Sequence, residues 1–174
     1  VEATFGGAGT GRQYSLVGDA ELDEGAIWEA LVDPAVPELG ELVWIIDLNR
    51  QSLDRVVPTL AAGRLEAMFS AAGCPVLTAK FGTLLEQLFT RTGGRHLRDR
   101  IVEMSNPEYQ RLLRCSATEL RDRLPGSGAH AAAIATLIAD LDDTTLLRAI
   151  RNLGGHDTAA LRAAYARIDD SRPT

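Results

Sequence analysis

Residues 42–48 read LVWIIDL, a dense apolar and β-branched run. A run without polar alternation is typical of a parallel β-strand that is covered on both faces. Gln13 to Val17 predicts an earlier, short buried strand that ends sharply at Gly18-Asp19. Pro75 to Phe81 predicts a third strand further along the chain.

Helical patterns separate and follow these strands. Glu21 to Val32 has a helix-forming composition, and two prolines then break it. A second helix carries apolar residues at i, i+3, i+4 and i+7 and is closed by Gly73; its stripe is Leu65, Met68, Phe69 and Ala72. The order strand, helix, strand, helix, strand and then helices predicts an α/β fold, with a parallel sheet flanked by helices.

The second half of the chain is predicted to be a series of capped helices. Ser or Thr followed three residues later by Glu is a capping box, and the two predicted boxes are Thr83 with Glu86 and Ser116 with Glu119. Further helix starts are predicted at Asn106, at Asp142 or Asp143, and at Asp157. Pro125 to Gly128 is predicted to be a loop.

Composition and charge exclude several classes of function. The formal charge of −6 argues against a nucleic-acid partner, which needs a clustered basic face. The closest approach to such a face is four arginines that we interpret as the solvated side of a helix: Arg91, Arg95, Arg98 and Arg100. Cys74 and Cys115 are isolated thiols, which fit a reducing compartment. Without an apolar run of membrane-spanning length or a signal-peptide pattern, we expect a cytoplasmic protein with no membrane partner.

Residues 1–12 form a glycine-rich lead-in, which we predict to be a flexible connector. A dinucleotide-binding loop would follow a strand, whereas these glycines precede the first one. Both ends of the chain look cut, and the sequence is therefore expected to be a fragment of a larger protein.

Polar residues follow two of the predicted strands. Asp19 ends the first strand, and Asn49 follows the second, thirty positions further along the chain (19 to 49). Adjacent parallel strands would bring the two together, because ligands in open parallel sheets bind beyond the carboxyl ends of the strands. A carboxylate, an amide oxygen and backbone carbonyls suit a magnesium ion that phosphates complete, and the following turn offers free N–H groups to a diphosphate.

These residues resemble a known motif. Gly18-Asp19-Ala20 followed by Asn49 is similar to the thiamine diphosphate motif. GDAELDEGAIWEAL (18–31) and LVWIIDLNRQSLDRVV (42–57) resemble the homodimeric first component of pyruvate dehydrogenase. NPEYQRLL (106–113), GGHD (154–157) and the ending at 172–174 match the same family in order. The resemblance covers nearly the whole chain from about Gln13.

The resemblance implies a role for each residue of the motif. Asp19 would be the carboxylate ligand of magnesium, Asn49 the side-chain amide ligand, and Gln51 a backbone carbonyl ligand. Gly18 and Ala20 would line the diphosphate through their backbone. Residues 13–174 would then be the thiamine diphosphate and magnesium domain, with a transketolase-like fold that is incomplete in this chain.

The resemblance also implies the activity and partners of the complete enzyme. It would decarboxylate a 2-oxo acid, pyruvate in the family, and pass the acyl group to a lipoyl group on an acyltransferase core. The glutamate that activates the cofactor lies in a second domain of the homodimer partner, so the fragment alone should be inactive.

Two residues depart from the family pattern. Ala20 stands where the motif has glycine, and its Cβ restricts positive φ. Arg123 stands where the family has a catalytic histidine, and an arginine cannot exchange protons near neutral pH. A transketolase-like transferase and a non-catalytic homologue serving assembly are therefore the alternatives. An unrelated phosphotransfer domain using Asp19 is less consistent with the sequence, which lacks the early acidic pair and late lysine of receiver domains.

Other residues of chemical interest have simpler interpretations. Trp28 and Trp44 are predicted to pack in the core. His156 is predicted to have a structural role at a turn, and His96 and His130, without partners at ligand spacing, are predicted to be surface residues.

Overall fold

The computed structural model describes residues 11–18, 20–48, 51–52, 55–56 and 59–174, and the side chains in these ranges apart from 51–61. Within these ranges the chain is α/β, with short strands first and nine α-helices. It divides into two compact units, one formed by the described residues up to Leu77 together with Arg167–Thr174, the other by Thr78–Ala166.

The first unit contains all four strands of the described residues. Its elements are β1 (Gln13–Gly18), α1 (Gly25–Leu31), β2 (Leu42–Asp47), β3 (Gln51–Ser52), β4 (Arg55–Val56) and α2 (Thr59–Ala71). β1 pairs with β2 in parallel, from Gln13 opposite Leu42 to Gly18 opposite Asp47. β3 and β4 form a separate antiparallel pair. The predicted first two strands and their parallel direction are confirmed.

One face of the β1–β2 sheet carries the core of the first unit. Val17 and Ile46 lie side by side in the register and pack in one cluster with residues of α1 and α2. Phe69 of α2 is buried between the two tryptophans, with ring centroids 5.9 Å from Trp28 and 6.3 Å from Trp44. The predicted core packing of both tryptophans is confirmed.

The opposite face of β1 is open, which corrects the prediction of a buried strand. Tyr14 and Leu16 are 56% and 70% exposed. The reason is that α1 and α2 contribute to the same cluster as Val17, so the alternate residues of β1 point away from it. Met68 of the predicted apolar stripe is likewise exposed at 45%, whereas Phe69 is buried.

The C-terminal residues return to β2. The backbone N–H of Trp44 donates to the carbonyl of Thr174 at 2.8 Å, and the N–H of Thr174 donates to the carbonyl of Leu42 at 3.1 Å. Pro173 is fully buried. The last residues of this sequence therefore pair with the edge of β2, a role that their sequence does not reveal.

The predicted third strand, Pro75 to Phe81, is wrong. Residues 74–80 have no strand pairing, and Phe81 makes a single antiparallel bridge with Leu153. A strand requires a neighbour along its length. The apolar residues of this segment belong instead to the connection between the two units, whose boundary follows Leu77.

The second unit is helical, as predicted. Its elements are α3 (Thr83–Phe89), α4 (Gly94–Glu103), α5 (Asn106–Leu112), α6 (Ala117–Arg123), α7 (Ala131–Ala139), α8 (Asp143–Arg151) and α9 (Thr158–Tyr165). They bury one aliphatic core, in which Leu85, Leu97, Leu120, Ile138 and Leu146 are almost fully inaccessible.

Both cysteines of the chain are free, and burial raises the pKa of the Cys74 thiol.

Helix capping follows the sequence with two corrections. Ser116 and Glu119 form the predicted capping box, and Asp142 rather than Asp143 caps α8. The cap of α5 is Ser105, one residue before the predicted Asn106. Thr83 and Glu86 form no capping box, because Thr83 is already the first residue of α3 and its hydroxyl donates to Asp157 at 2.7 Å.

The carboxylate of Asp157 joins the starts of α3 and α9. Its Oδ1 accepts the N–H groups of Ala159 and Ala160, both at 2.9 Å, and its Oδ2 accepts the N–H and hydroxyl of Thr83. Asn152 completes the group by donating to the same Oδ2 at 2.9 Å. The hydrogen bond from Ala160, then those from Asn152 and Thr83, hold the pKa of Asp157 well below its usual range.

We predict that Asp157→Asn lowers the thermal unfolding midpoint at pH 7 by several degrees, because the charged acceptor shared by two helices is lost. The folded pKa of Asp157 is depressed, so its stabilisation is fully present above the unfolded pKa of about 3.9 and is lost as the pH falls below it. The difference in midpoint between wild type and variant should therefore begin to shrink below about pH 4 and disappear only as the pH approaches the depressed folded pKa of Asp157. Asp140→Asn, at the exposed end of α7, is the control. Equal midpoints at pH 7 would contradict the role of Asp157.

Gly154 is required by a close backbone approach. A Cβ at this position would lie 2.1 Å from the carbonyl oxygen of Ala79, whereas a Cβ at Gly155 would meet nothing within 4 Å. We predict that Gly154→Ala lowers the free energy of unfolding by about 1–3 kcal/mol, the usual cost of overpacking. Gly155→Ala should change it by less than about 0.5 kcal/mol. Urea titration of the two variants checks the difference, and similar losses in both would refute the contact.

Candidate functional site

The carboxyl ends of β1 and β2 meet at one edge of the sheet. The last register pair is Gly18 opposite Asp47. Asp19 follows Gly18 directly, and Asn49 follows Asp47 by two residues. Both predicted ligands lie outside the described residues, as does the side chain of Gln51, whose backbone begins β3. The predicted adjacency of the two strands is confirmed, and the ligand set itself stays a prediction.

The turn after β1 is built from a short 3₁₀ helix, Glu21–Asp23, and α1 begins only at Gly25. The predicted single helix from Glu21 to Val32 is therefore interrupted at Glu24, which has an extended backbone. The indole N–H of Trp28 donates to the carbonyl of Leu22 at 2.8 Å, and this bond ties the turn to α1.

Ala20 adopts φ −68° and ψ −33°, the ordinary right-handed region. The restriction that its Cβ places on positive φ therefore has no consequence for this turn. The replacement of the motif glycine by alanine is compatible with the backbone seen here.

The backbone N–H of Gly18 donates to Oε2 of Glu21 at 2.7 Å. This N–H belongs to the last residue of β1, and its acceptor is a negatively charged, exposed carboxylate. The strand end thus presents a donor that already holds an anionic oxygen. The family resemblance implies no individual role for Glu21.

Arg123, which the resemblance is predicted to place at the position of the family histidine, lies at the end of α6 in the second unit. It is exposed and lines a cavity of about 800 Å³. The wall of this cavity carries charges of both signs, among them Arg111, Asp99 and Asp122. A polar ligand with both donors and acceptors is the chemistry that such a wall accommodates.

Arg100 corrects the interpretation of the four arginines as one solvated face. Arg95 and Arg98 are exposed, but Arg100 is half-buried, donates to the carbonyl of Leu124 at 3.2 Å and forms an ion pair with Glu108. Gly126 has φ +67°, and a Cβ there would lie 2.9 Å from Nε of Arg100. The glycine lets the loop after α6 close against this guanidinium.

His96 and His130 also line this cavity and are stacked on each other, with ring centroids 3.8 Å apart and an interplanar angle of 6°. His130 is exposed and His96 is half-buried, which agrees with their predicted surface location, and the stacking is a contact that was not predicted. Thirty-four positions separate them (96 to 130), so no local pattern could have revealed the pair. His156 is exposed in the turn before Asp157, in agreement with the predicted location.

The described residues hold neither a clustered metal-binding group nor a helix that could span a membrane. Within these ranges, no three His, Cys, Asp or Glu side chains come together as a metal-binding group. None of the helices in the same ranges combines the length and apolar character needed to cross a membrane.

The chain is similar to two kinds of known protein. No protein-family model matches the chain. A stretch of 39 residues, 22% of the chain, is 49% identical to human transketolase and covers 6% of that protein.

Much longer matches point to one enzyme component. The pyruvate dehydrogenase E1 component of Haemophilus influenzae is 30% identical over 164 residues, 92% of the chain. The Escherichia coli protein of the same name is 27% identical over 163 residues, 91% of the chain. The resemblance indicated by the sequence motifs is confirmed. The chain spans 18% of the length of these two relatives.

Proposed function

We propose that the chain is the diphosphate- and magnesium-binding part of a thiamine diphosphate-dependent enzyme similar to the first component of pyruvate dehydrogenase. The observation that carries this proposal is the match over 92% of the chain to such a component. The parallel pairing of β1 with β2 supports it, because the two motif ends follow neighbouring strands.

Residues at the strand edge fit a diphosphate. The N–H of Gly18 donates to a carboxylate oxygen of Glu21 at 2.7 Å, so it can donate to another anionic oxygen in its place. Ala20 has right-handed helical backbone angles, so its N–H can donate to a diphosphate oxygen without backbone strain. The donor set of Asp19, Asn49 and the carbonyl of Gln51 consists of oxygens, the ligands that magnesium prefers.

In the proposed site this chain anchors the cofactor. Asp19 and the side-chain oxygen of Asn49 hold the metal ion, with the carbonyl of Gln51 as a further ligand. When bound, thiamine diphosphate supplies the carbanion stabilisation that decarboxylation requires. The backbone of Gly18 and Ala20 orients the diphosphate and so fixes the position of the reacting ring.

For the complete protein, we propose decarboxylation of a 2-oxo acid, with pyruvate as the first candidate, and transfer of the acyl group to a lipoyl acceptor of an acyltransferase core. The second domain and the homodimer partner of the family would complete the active site. Arg123, on the wall of the 800 Å³ cavity, is proposed to bind an acidic substrate or acyl group instead of transferring a proton.

A transketolase-like transfer is the second candidate. The 49% identity to human transketolase over 39 residues favours it, as does the arginine at position 123. A non-catalytic homologue serving assembly is the third. Calorimetry with thiamine diphosphate and Mg²⁺ on the complete protein separates this third candidate from the other two, because the absence of saturable heat would favour it.

We predict that Asp19→Ala weakens magnesium-dependent binding of thiamine diphosphate by more than about 100-fold, because loss of an outer-shell partner alone costs 10–100-fold. Asp19 is the charged ligand of the proposed set. Titration calorimetry on the complete protein measures the affinity, with Glu29→Ala on the exposed face of α1 as the control. An unchanged affinity in the Asp19 variant would refute the metal site.

We predict that Arg123→His raises or redirects 2-oxo acid decarboxylation in the complete protein. A positioned histidine contributes about 10²–10⁴-fold through proton transfer, which arginine cannot provide. Initial rates with pyruvate and a longer 2-oxo acid measure the effect, and Arg98→His, exposed on α4, is the control. If the Arg123 variant changes neither rate nor substrate preference, its assignment to the family histidine position is wrong.

A further inference from the structure

The contact between Glu21 and Gly18 places an anion of the protein itself at the edge where the proposed diphosphate binds. Oε2 of Glu21 lies 2.7 Å from the backbone nitrogen of Gly18. Gly18 is the last residue of β1 and lies opposite Asp47 of β2, at the carboxyl ends of both strands. The carboxylate therefore occupies a donor of the strand edge.

The backbone of Glu21 is fixed, although its side chain is exposed. The N–H of Asp23 donates to the carbonyl of Ala20 at 3.2 Å, and the N–H of Glu24 donates to that of Glu21 at 3.0 Å. Leu22 is buried, and its carbonyl accepts the indole N–H of Trp28. The turn thus holds the start of the Glu21 side chain in place, while the carboxylate itself remains accessible to solvent and can move.

The contact between Glu21 and Gly18 does not depend on the absence of a side chain at residue 18. A Cβ built on Gly18 would lie 3.7 Å from Oε2 of Glu21, an ordinary contact distance. A glutamate that reaches back three residues to a backbone N–H is also a common local stabiliser of a turn. The two roles of Glu21 lead to opposite predictions. Removal of a side chain that only stabilises the turn would not strengthen ligand binding, whereas removal of a side chain that the ligand must displace would strengthen it.

We infer that Glu21 acts as a placeholder for the diphosphate: its carboxylate holds the N–H of Gly18 until a phosphate oxygen replaces it. This inference rests on the proposed function. The N–H of Gly18 cannot donate a full hydrogen bond to both the Glu21 carboxylate and a phosphate oxygen. The two negatively charged groups also repel each other when both lie close to this N–H. The apparent affinity for the diphosphate is then the intrinsic affinity multiplied by the fraction of molecules in which Glu21 has left the N–H of Gly18.

The expected size of the effect follows from the contact. The net free energy of a single protein hydrogen bond corresponds to a change of about 2- to 10-fold in a binding constant. Removal of the carboxylate in Glu21→Ala should therefore tighten diphosphate binding by about that factor. Glu21→Gln retains an oxygen acceptor but not the charge, so its affinity should lie between those of wild type and Glu21→Ala.

The test is titration calorimetry on the complete protein with two probes, thiamine diphosphate and inorganic pyrophosphate, each with Mg²⁺. Glu29→Ala removes one negative charge from exposed α1 without touching Gly18, and it serves as the matched control for net charge. Both probes should bind Glu21→Ala about 2- to 10-fold more tightly than Glu29→Ala. Glu21→Gln keeps the test valid if the alanine variant does not fold.

The outcomes separate this inference from the proposed function. If wild type binds both probes but neither Glu21 variant binds more tightly than the Glu29 control, the placeholder role is refuted and the cofactor site stands. If wild type and all variants fail to bind either probe, the proposed function fails, and the inference fails with it.

Discussion

Six backbone register pairs join β1 to β2 in parallel, from Gln13 opposite Leu42 to Gly18 opposite Asp47. In parallel strands the carboxyl ends meet at one edge, so Gly18 and Asp47 lie opposite each other although they are twenty-nine positions apart (18 to 47). The core behind the sheet, in which Phe69 packs against both tryptophans, holds this pairing in place. The proposed cofactor site depends on this one constraint.

The second unit has a different organising interaction. Asp157 accepts hydrogen bonds at the starts of both α3 and α9, and Asn152 binds the same carboxylate while its own oxygen accepts the N–H of Leu84 at 2.8 Å. Gly154 allows the preceding turn to approach the backbone of Ala79. The GGHD segment, which carries part of the family resemblance, therefore has a structural use in this chain. Its aspartate and first glycine connect segments that are distant in sequence.

Local patterns predicted most of the fold. The apolar run of β2 and the Ser116 capping box are local signals that were confirmed, whereas the stripe of α2 was confirmed only in part, because Phe69 is buried and Met68 is exposed. The proposed ligands came from motif residues that resemble a known family, and that resemblance was confirmed over 92% of the chain. The third strand was predicted wrongly because an apolar run reports burial but not a pairing partner. The Thr83 box failed because a distant carboxylate competes for the same hydroxyl.

Residues that are neighbours along the chain were enough to predict the α/β character, the first two strands and the family that the chain resembles. The folded chain alone shows which groups meet across long separations: Asp157 with Thr83, His96 with His130, and Thr174 with β2. It also shows that Ala20 is tolerated and that Glu21 holds the N–H of Gly18. The physical reason is that backbone angles and hydrogen-bond partners are set by packing in three dimensions, which no local pattern encodes.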